Sequence, residues 1–292
     1  MASTRSAPSG QTPSVPAARS GEVSLDRTGN TAIRIGAVSY LNARPLTWAL
    51  DRSPQRWQVR YDLPSVCARL LYDGEVDLGL VPSIEYLRSE QYRFVPGVGI
   101  GSRGPVASVA LFTRRPLDAI RHIALDTSSR TSVTLIRVLC QHRYRISPEF
   151  VPHGPDLAAM VRDYDAGLLI GDPALELDPD ALGVTKIDLG EEWTAMTGLP
   201  FIYAAWTGRA GAVNADDVRL LQEAQAEGVA SYPAIAEEYG RGDAVATRRG
   251  LAYLRDNMRY GLGPDEAKGL QLFLDYAADL GLGPRRRNLE FF

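Results

Sequence analysis

A cluster of hydroxyl-bearing residues surrounds one arginine near the middle of the chain. The segment 123–139 reads IALDTSSRTSVTLIRVL, so a short apolar run precedes the polar residues 127–132, and apolar residues at helical spacing follow them. This pattern predicts a buried strand, a tight turn and a helix. Unpaired backbone N–H groups and the helix dipole favour an anion at the start of such a helix.

The candidate ligand-binding residues of this turn are Ser128, Ser129, Arg130, Thr131 and Ser132. A single hydroxyl is enough to cap a helix, with a stabilisation of about 1 kcal/mol. A longer run of polar residues therefore favours ligand binding over capping alone. Arg130 could bind a carboxylate through two parallel hydrogen bonds, or it could point to solvent.

Polar residues also follow three other apolar runs of the chain. They lie in SYLN (39–42), VPS (81–83) and IGD (170–172). Ligands of open α/β sheets bind beyond the carboxyl ends of the strands, so these residues are candidates for the same site. Each also has a structural alternative, since Asn42 and Ser83 could cap the helices that follow them and Asp172 could form a turn before a proline.

The composition is that of an ordinary globular protein and argues against several kinds of site. The chain has 292 residues, 45% of them hydrophobic, and a formal net charge of −3, which disfavours a general nucleic-acid binder. The two cysteines fall in helix-like apolar patterns, and the three histidines have no zinc-ligand spacing. The sequence contains no nucleophile elbow, Walker loop or histidine-centred triad. Any chemistry must therefore use hydroxyls, amides, carboxylates, backbone N–H groups and arginine.

One glycine-rich segment matches a nucleotide-binding pattern. GIGSRG, residues 99–104, fits the spacing G-x-G-x-x-G. That pattern requires a helix directly after the glycines, whereas the following PVASVALF is typical of a strand. We therefore reject a dinucleotide site and expect a loop between two strands.

From residue 33 onward, short apolar runs alternate with helical patterns, which predicts parallel sheets covered by helices. Two such α/β units are joined by the extended segments VASVALFTR (106–114) and LPFIYAAWTG (199–208). We therefore expect two lobes with a cleft between them, and three helices of the last third returning to the first lobe. The predicted bounds are 33–112 with 206–292 for lobe 1, and 113–205 for lobe 2.

Residues 1–32 are expected to form a flexible tail, because they are rich in Ser, Pro, Thr, Ala and Gly and have few large apolar side chains. They lack the apolar core of a secretory signal, and no later stretch could span a bilayer. We therefore expect a cytoplasmic protein that does not contact a membrane.

Several stretches together resemble the chorismate dehydratases of the futalosine route to menaquinone. They are VSYLNARPL (38–46), GLVPSIEYL (79–87), SVALF (108–112), DTSSRTSVTLIRVL (126–139), LLIGDPAL (168–175) and DLGEEWTAMTGLPFIYA (188–204). The resemblance covers essentially residues 33–285. It implies a type II periplasmic-binding-protein-like fold with two α/β lobes, which acts as a hydro-lyase on chorismate without a metal or organic cofactor.

The resemblance, together with the strand ends above, defines the candidate site. We predict that Asn42 and Asp172 contribute to catalysis. The predicted substrate-binding residues are Ser39, Tyr40, Asn42, Ser83, Ser108, Ser128, Ser129, Arg130, Thr131, Ser132 and Gly171. The start of the helix at 128–132 would bind one carboxylate of the substrate, and the first lobe would bind its ring hydroxyl or second carboxylate.

The identity of the base stays open at this point. Asp172 and Glu85 are candidates, but burial beside a dianion would raise the pKa of either carboxyl. A substrate carboxylate that removes the ring proton is the alternative we favour. A related dihydroxynaphthoate synthase uses a histidine base in the stretch that matches LLIGD, where this chain has Gly171 and Asp172. A solute-binding or ligand-sensing protein of the same fold is the other alternative.

Overall fold

The frame of the molecule consists of two mixed sheets. The computed structural model describes residues 32–284 and 287–292, and these residues form two five-stranded sheets. The first sheet contains β1 (Ile33–Val38), β2 (Trp57–Asp62), β3 (Leu78–Pro82), β4 (Tyr92–Ser102) and β10 (Phe201–Arg209). The second contains β5 (Val109–Thr113), β6 (His122–Asp126), β7 (Glu149–His153), β8 (Ala166–Ile170) and β9 (Thr185–Asp188). The predicted tail lies outside the described residues, except for Ala32.

Each sheet has three strands that pair in parallel and one strand that runs antiparallel to both of its neighbours. The strand order is β2-β1-β3-β10-β4 in the first sheet and β7-β6-β8-β5-β9 in the second. In the first sheet β1 pairs in parallel with β2 and β3, while β10 runs antiparallel to β3 and β4. In the second, β6 pairs in parallel with β7 and β8, and β5 runs antiparallel to β8 and β9. Strands β3 and β8 are buried along their whole length, as expected for strands covered on both faces.

The helices between the strands are α1 (Arg44–Thr47), α2 (Pro64–Asp73), α3 (Arg130–Leu139), α4 (Leu157–Asp163), α5 (Gly171–Glu176) and α6 (Leu189–Thr197). The last third contains α7 (Ala215–Ala230), α8 (Tyr232–Gly240), α9 (Ala244–Ala252) and α10 (Pro264–Asp279). A π-helical segment, Tyr253–Asn257, continues directly from α9. None of the described helices is both long enough and apolar enough to span a membrane.

The chain passes from the first sheet to the second between β4 and β5, and returns between α6 and β10. The predicted lobe bounds, at 112/113 and 205/206, therefore fall within β5 and β10, whereas the pairing assigns each strand whole to one sheet. Both strands are continuous apolar runs, so their sequence does not indicate which sheet they join. The division into lobes itself stays a prediction.

Several elements were not predicted, among them β9 and α8, and the last third has four helices where three were expected. Strand β9 is short, polar and half-buried at a sheet edge, so it has no apolar run to mark it. Helix α8 begins at Tyr-Pro and has only a weak apolar stripe, which the sequence analysis did not separate from its neighbours. The element after GIGSRG is the strand β5 and not a helix, as expected, but the prediction of a loop is wrong for residues 99–102, which lie within β4.

Candidate functional site

A small cavity lies between the two sheets, at the carboxyl ends of β1, β3 and β8 and beside the start of α3. Its lining includes Tyr40, Asn42, Ser129, Ser132, Gly171 and Tyr203. The cavity volume is about 50 Å³, which holds a few waters but is far below the roughly 300–1,000 Å³ of small-molecule sites. The cavity as it stands in this structure is therefore too small for a ligand of that size.

The hydroxyl cluster reaches this cavity through two serines of α3. Ser129 is the N-cap of the helix, and its Oγ accepts a hydrogen bond from the backbone N–H of Ser132 at 3.4 Å. The two hydroxyls also hydrogen-bond to each other at 3.0 Å. Ser129 thus caps the helix and, with Ser132, lines the cavity, so the capping and ligand-binding interpretations are compatible.

Other members of the cluster have different partners. The backbone N–H of Ser128 donates to Asp126 Oδ1 at 2.9 Å, which closes the turn after β6. Thr131 Oγ1 accepts a hydrogen bond from the backbone N–H of Ile84 at 3.2 Å and lies 3.3 Å from Ser83 Oγ. Thr131 and Ser83 are both fully buried. Their contact joins the start of α3 to the 3-10 segment Ser83–Arg88, which follows β3 of the first sheet.

Arg130 is directed away from the cavity. Its Nη1 donates to Glu85 Oε1 at 2.9 Å, and Arg88 Nη1 contacts the other oxygen of the same carboxylate at 3.0 Å. Glu85 is only 3% exposed, whereas the Arg130 side chain is 43% exposed, so this half-buried ion pair links the start of α3 to the segment Ser83–Arg88. Among the described residues that line the cavity, neither Arg130 nor Glu85 is present. The geometry therefore does not support the prediction that Arg130, Thr131 and Ser83 contact the ligand there.

Asn42 lies in the short 3-10 turn Leu41–Ala43 that follows β1 and is one of the residues that line the cavity. The alternative that it caps the next helix is wrong, because the N-cap of α1 is Ala43 and no side chain caps that helix. The backbone carbonyl of Asn42 accepts a hydrogen bond from Tyr260 Oη at 3.0 Å. Ser83 is likewise not a cap, since the N-cap of its segment is Pro82.

Ser108 lies at the start of β5 and is buried next to Tyr253. Its Oγ is 2.7 Å from Tyr253 Oη, and its backbone carbonyl accepts from the N–H of Gly171 at 2.8 Å. The preceding residue, Ala107, has φ +62°, a left-handed conformation that is unfavourable for alanine. Ser108 is thus held by Tyr253 on one side and by the backbone of Gly171 on the other.

Gly171 and Tyr40 form a close contact across the cavity. Gly171 has φ +70°, and a Cβ added there would lie 2.9 Å from the Tyr40 ring. Only glycine allows both the backbone conformation and this approach. Gly171 of the IGD segment therefore contributes its backbone to the site and leaves room for the Tyr40 ring.

Asp172 and Ser39 line a larger groove next to the cavity, with a volume of about 530 Å³. Asp172 is the first-turn acid of α5, and its Oδ1 accepts from the backbone N–H of Leu41 at 3.1 Å. This bond links the start of α5 to the turn that carries Asn42. Burial raises the pKa of the Asp172 carboxyl to about 6, the Leu41 N–H opposes that rise, and Glu176 adds to it.

Replacing Asp172 by asparagine should make the free energy of unfolding depend less on pH. A carboxyl whose pKa rises from 3.8 to about 6 on folding stabilises the fold fully below pH 3.8. This contribution is lost as the pH rises through about 6. At pH 8 the buried carboxylate is charged, so D172N should raise the free energy of unfolding by about 1–2 kcal/mol, with little gain at pH 4. Thermal melts from pH 4 to 8 measure this, and an equal effect at both ends would contradict it.

The sequence analysis missed two tyrosines of the site. Tyr203 lines the cavity and its hydroxyl lies 3.1 Å from Ser102 Oγ, while Tyr253 contacts Ser108. Tyr203 lies in the apolar run LPFIYAAWTG, and Tyr253 lies in a helical pattern, so a role in the core is the ordinary interpretation of both. No local signal marked them.

The chain matches the family model described as menaquinone biosynthesis over residues 33–279. It is 31% identical over 258 residues to the chorismate dehydratase of Thermus thermophilus, which covers 82% of this chain and 93% of that protein. It is 27% identical over 181 residues to the chorismate dehydratase of Campylobacter jejuni, which covers 59% of this chain and 66% of that protein.

Solved structures share the fold at low identity. A protein of Archaeoglobus fulgidus superposes with a TM-score of 0.69 at 17% identity, covering 86% of this chain and 98% of that one. The periplasmic aliphatic sulphonate binding protein of Escherichia coli gives 0.62 at 15% identity, covering 88% and 95%. The predicted periplasmic-binding-protein-like fold is therefore confirmed. By the family model and the Thermus relative together, this chain belongs to the menaquinone biosynthesis family.

Proposed function

We propose that this protein is a chorismate dehydratase, a hydro-lyase that eliminates water from chorismate to give 3-[(1-carboxyvinyl)oxy]benzoate. The observation that carries the proposal is the 31% identity to the Thermus chorismate dehydratase over 82% of the chain. We also propose that the reaction belongs to the futalosine route to menaquinone and takes place in the cytoplasm, and both of these points stay predictions.

The reaction fits a site built from hydrogen-bond donors. Chorismate carries a ring carboxylate and an enolpyruvyl carboxylate, and the ring carboxylate acidifies the C3 hydrogen through the conjugated double bonds. Removal of that proton and departure of the C4 hydroxyl break one C–H and one C–O bond, release water and leave an aromatic ring. Because aromatisation supplies the driving force, the protein need only orient the dianion and stabilise the charge that builds on a carboxylate.

Different residues of the cavity would bind different groups of the substrate. We propose that Ser129 and Ser132, with the backbone N–H groups at the start of α3, bind one carboxylate. The Asn42 amide, on the opposite wall, would donate to the second carboxylate or to the leaving hydroxyl. Closure of the two predicted lobes around the substrate would exclude water and strengthen these hydrogen bonds.

For the base, we propose that a substrate carboxylate removes the C3 proton. Asp172 is the protein alternative, and its pKa of about 6 would leave it largely ionised at neutral pH. It lines the outer groove and accepts a bond from Leu41, whereas the cavity itself is lined by Gly171. Near-normal turnover by D172N would exclude Asp172 as the base, and a loss of about 100-fold or more would support it.

The experiment that tests the function mixes purified, EDTA-treated protein with chorismate and follows the products by mass spectrometry and proton NMR. We expect loss of one water and the signals of a meta-substituted benzoate. Saturable binding with unchanged chorismate would instead indicate a solute-binding protein of this fold. Absence of both binding and turnover would contradict the proposed substrate.

A further inference from the structure

We propose that Tyr253 is a positioning residue that fixes Ser108 and Asn42 relative to each other across the two sheets. The inference rests on the proposed dehydratase function. Tyr253 is 2% exposed and begins the π-helical segment after α9, far along the chain from either residue. Its hydroxyl oxygen lies 2.7 Å from Ser108 Oγ, at the start of β5. The side chain of Asn42, in the turn after β1, also lies near enough to the Tyr253 hydroxyl to oppose the rise in the pKa of that group.

The backbone around Tyr253 is fastened to the same region at several points. Asn257 Nδ2 donates to the carbonyl of Pro105 at 2.9 Å, just before Ser108. Tyr260 Oη donates to the carbonyl of Asn42 at 3.0 Å. Arg259 and Gly101 exchange two backbone hydrogen bonds of 2.8 Å each, which joins the segment to β4. Residues 253–260 therefore form a brace at the point where the chain passes between the sheets.

A phenol suits this position. A tyrosine hydroxyl can donate one hydrogen bond and accept others, so it can join an amide and a hydroxyl at once. Burial raises the pKa of Tyr253 well above its ordinary value, so the group keeps its proton at any pH the protein meets. The neighbouring Ala107 has φ +62°, which shows that the chain adopts an unfavourable conformation immediately before Ser108. Ser108, the next residue, contacts Tyr253 through its hydroxyl, so the brace meets the chain directly after this unfavourable conformation.

The test compares Tyr253→Phe with the wild-type protein and with the matched variant Tyr86→Phe. Tyr86 is fully buried, and its hydroxyl donates to the carbonyl of Asn288 at 2.8 Å, so this control removes a phenol hydroxyl outside the site. We expect Y253F to lower kcat for chorismate by about 10- to 100-fold with little change in KM, because misplaced groups affect the transition state most. Y86F should stay within about threefold of wild type.

A double-mutant cycle separates positioning from general loss of packing. If Tyr253 acts in part through Ser108, Y253F should lower kcat by a clearly smaller factor in a Ser108→Ala background than in the wild-type protein. Full additivity of the two effects, or a Y253F kcat equal to that of Y86F, would overturn the inference. If Y253F does not fold, Asn257→Ala loosens the same brace from a half-buried position. A fall in kcat of threefold or more would then support the inference, and an unchanged kcat would contradict it.

These outcomes are distinct from failure of the proposed function. If wild type and Y86F both leave chorismate unchanged, the substrate assignment is wrong. The brace would then be tested by binding alone, with chorismate as the probe and the affinities of Y253F and wild type compared. If wild type binds chorismate without turnover and Y253F binds it equally tightly, the positioning role is excluded as well.

Discussion

Replacing Asn42 by alanine should lower kcat for chorismate by about 100-fold or more while the protein stays folded. Asn42 lines the cavity, and its amide does not cap helix α1, so capping does not explain why an amide is present here. An amide donor that stabilises developing charge typically contributes about 10²–10³ in rate. Steady-state kinetics with chorismate, together with a thermal melt of the variant, measure both parts of this prediction.

The matched control for Asn42→Ala is Asn214→Ala. Asn214 is the N-cap of α7, where its side chain accepts from the N–H of Asp217 at 3.0 Å, outside the cavity lining. Loss of this cap should cost about 1 kcal/mol of stability and leave kcat close to wild type. If N42A and N214A had similar kcat values, Asn42 would have no part in the reaction.

Replacing Asp188 by asparagine should lower the free energy of unfolding by about 3 kcal/mol, a fall in Tm of roughly 6–12 °C. Asp188 ends β9 and caps α6, where its Oδ1 accepts from the N–H groups of Gly190 at 2.9 Å and Glu191 at 3.1 Å. The same carboxylate accepts from the N–H groups of Val106 at 3.0 Å and Ala107 at 2.6 Å. An amide replaces one acceptor oxygen by a donor, so at least one of these N–H groups loses its partner.

The loss should extend to the site, because Asp188 holds the segment that leads to Ser108. Ala107 keeps its left-handed conformation through the bond to Asp188 and a second one, from Lys186 Nζ to its carbonyl at 2.6 Å. When the first bond is lost, Ala107 can relax to an ordinary conformation and displace Ser108. We therefore expect D188N to lower kcat as well as stability, measured at a temperature where the variant is folded.

The control for D188N is Asp156→Asn. Asp156 caps α4 and accepts one bond, from the N–H of Ala159 at 3.1 Å, at an exposed position. An asparagine can keep this bond, so D156N should change the free energy of unfolding by less than about 1 kcal/mol. Equal destabilisation by the two substitutions would show that Asp188 is no more than a helix cap.

The sequence by itself determined the alternation of strands and helices, and with it the two sheets. Apolar runs of strand length and apolar stripes of helical spacing are local properties, so β1, β3, β6 and β8 could be located from the letters alone. The polar turn at 127–132 was also readable, because a strand end and a helix start adjoin there. The motif combination was specific enough to predict the family, which the family model and the Thermus relative confirm.

Only the tertiary structure decided which polar side chains face the cavity. Ser129 and Arg130 are neighbours in sequence, yet one lines the cavity and the other pairs with Glu85, 45 positions away. Ser108 meets Tyr253 across 145 positions, and Asp172 meets Leu41 across 131. Periodicity reports which face of an element is buried, but a hydrogen-bond partner depends on how separate elements pack. The direction of a polar side chain at a strand end is set by that packing, and a single sequence carries no local record of it.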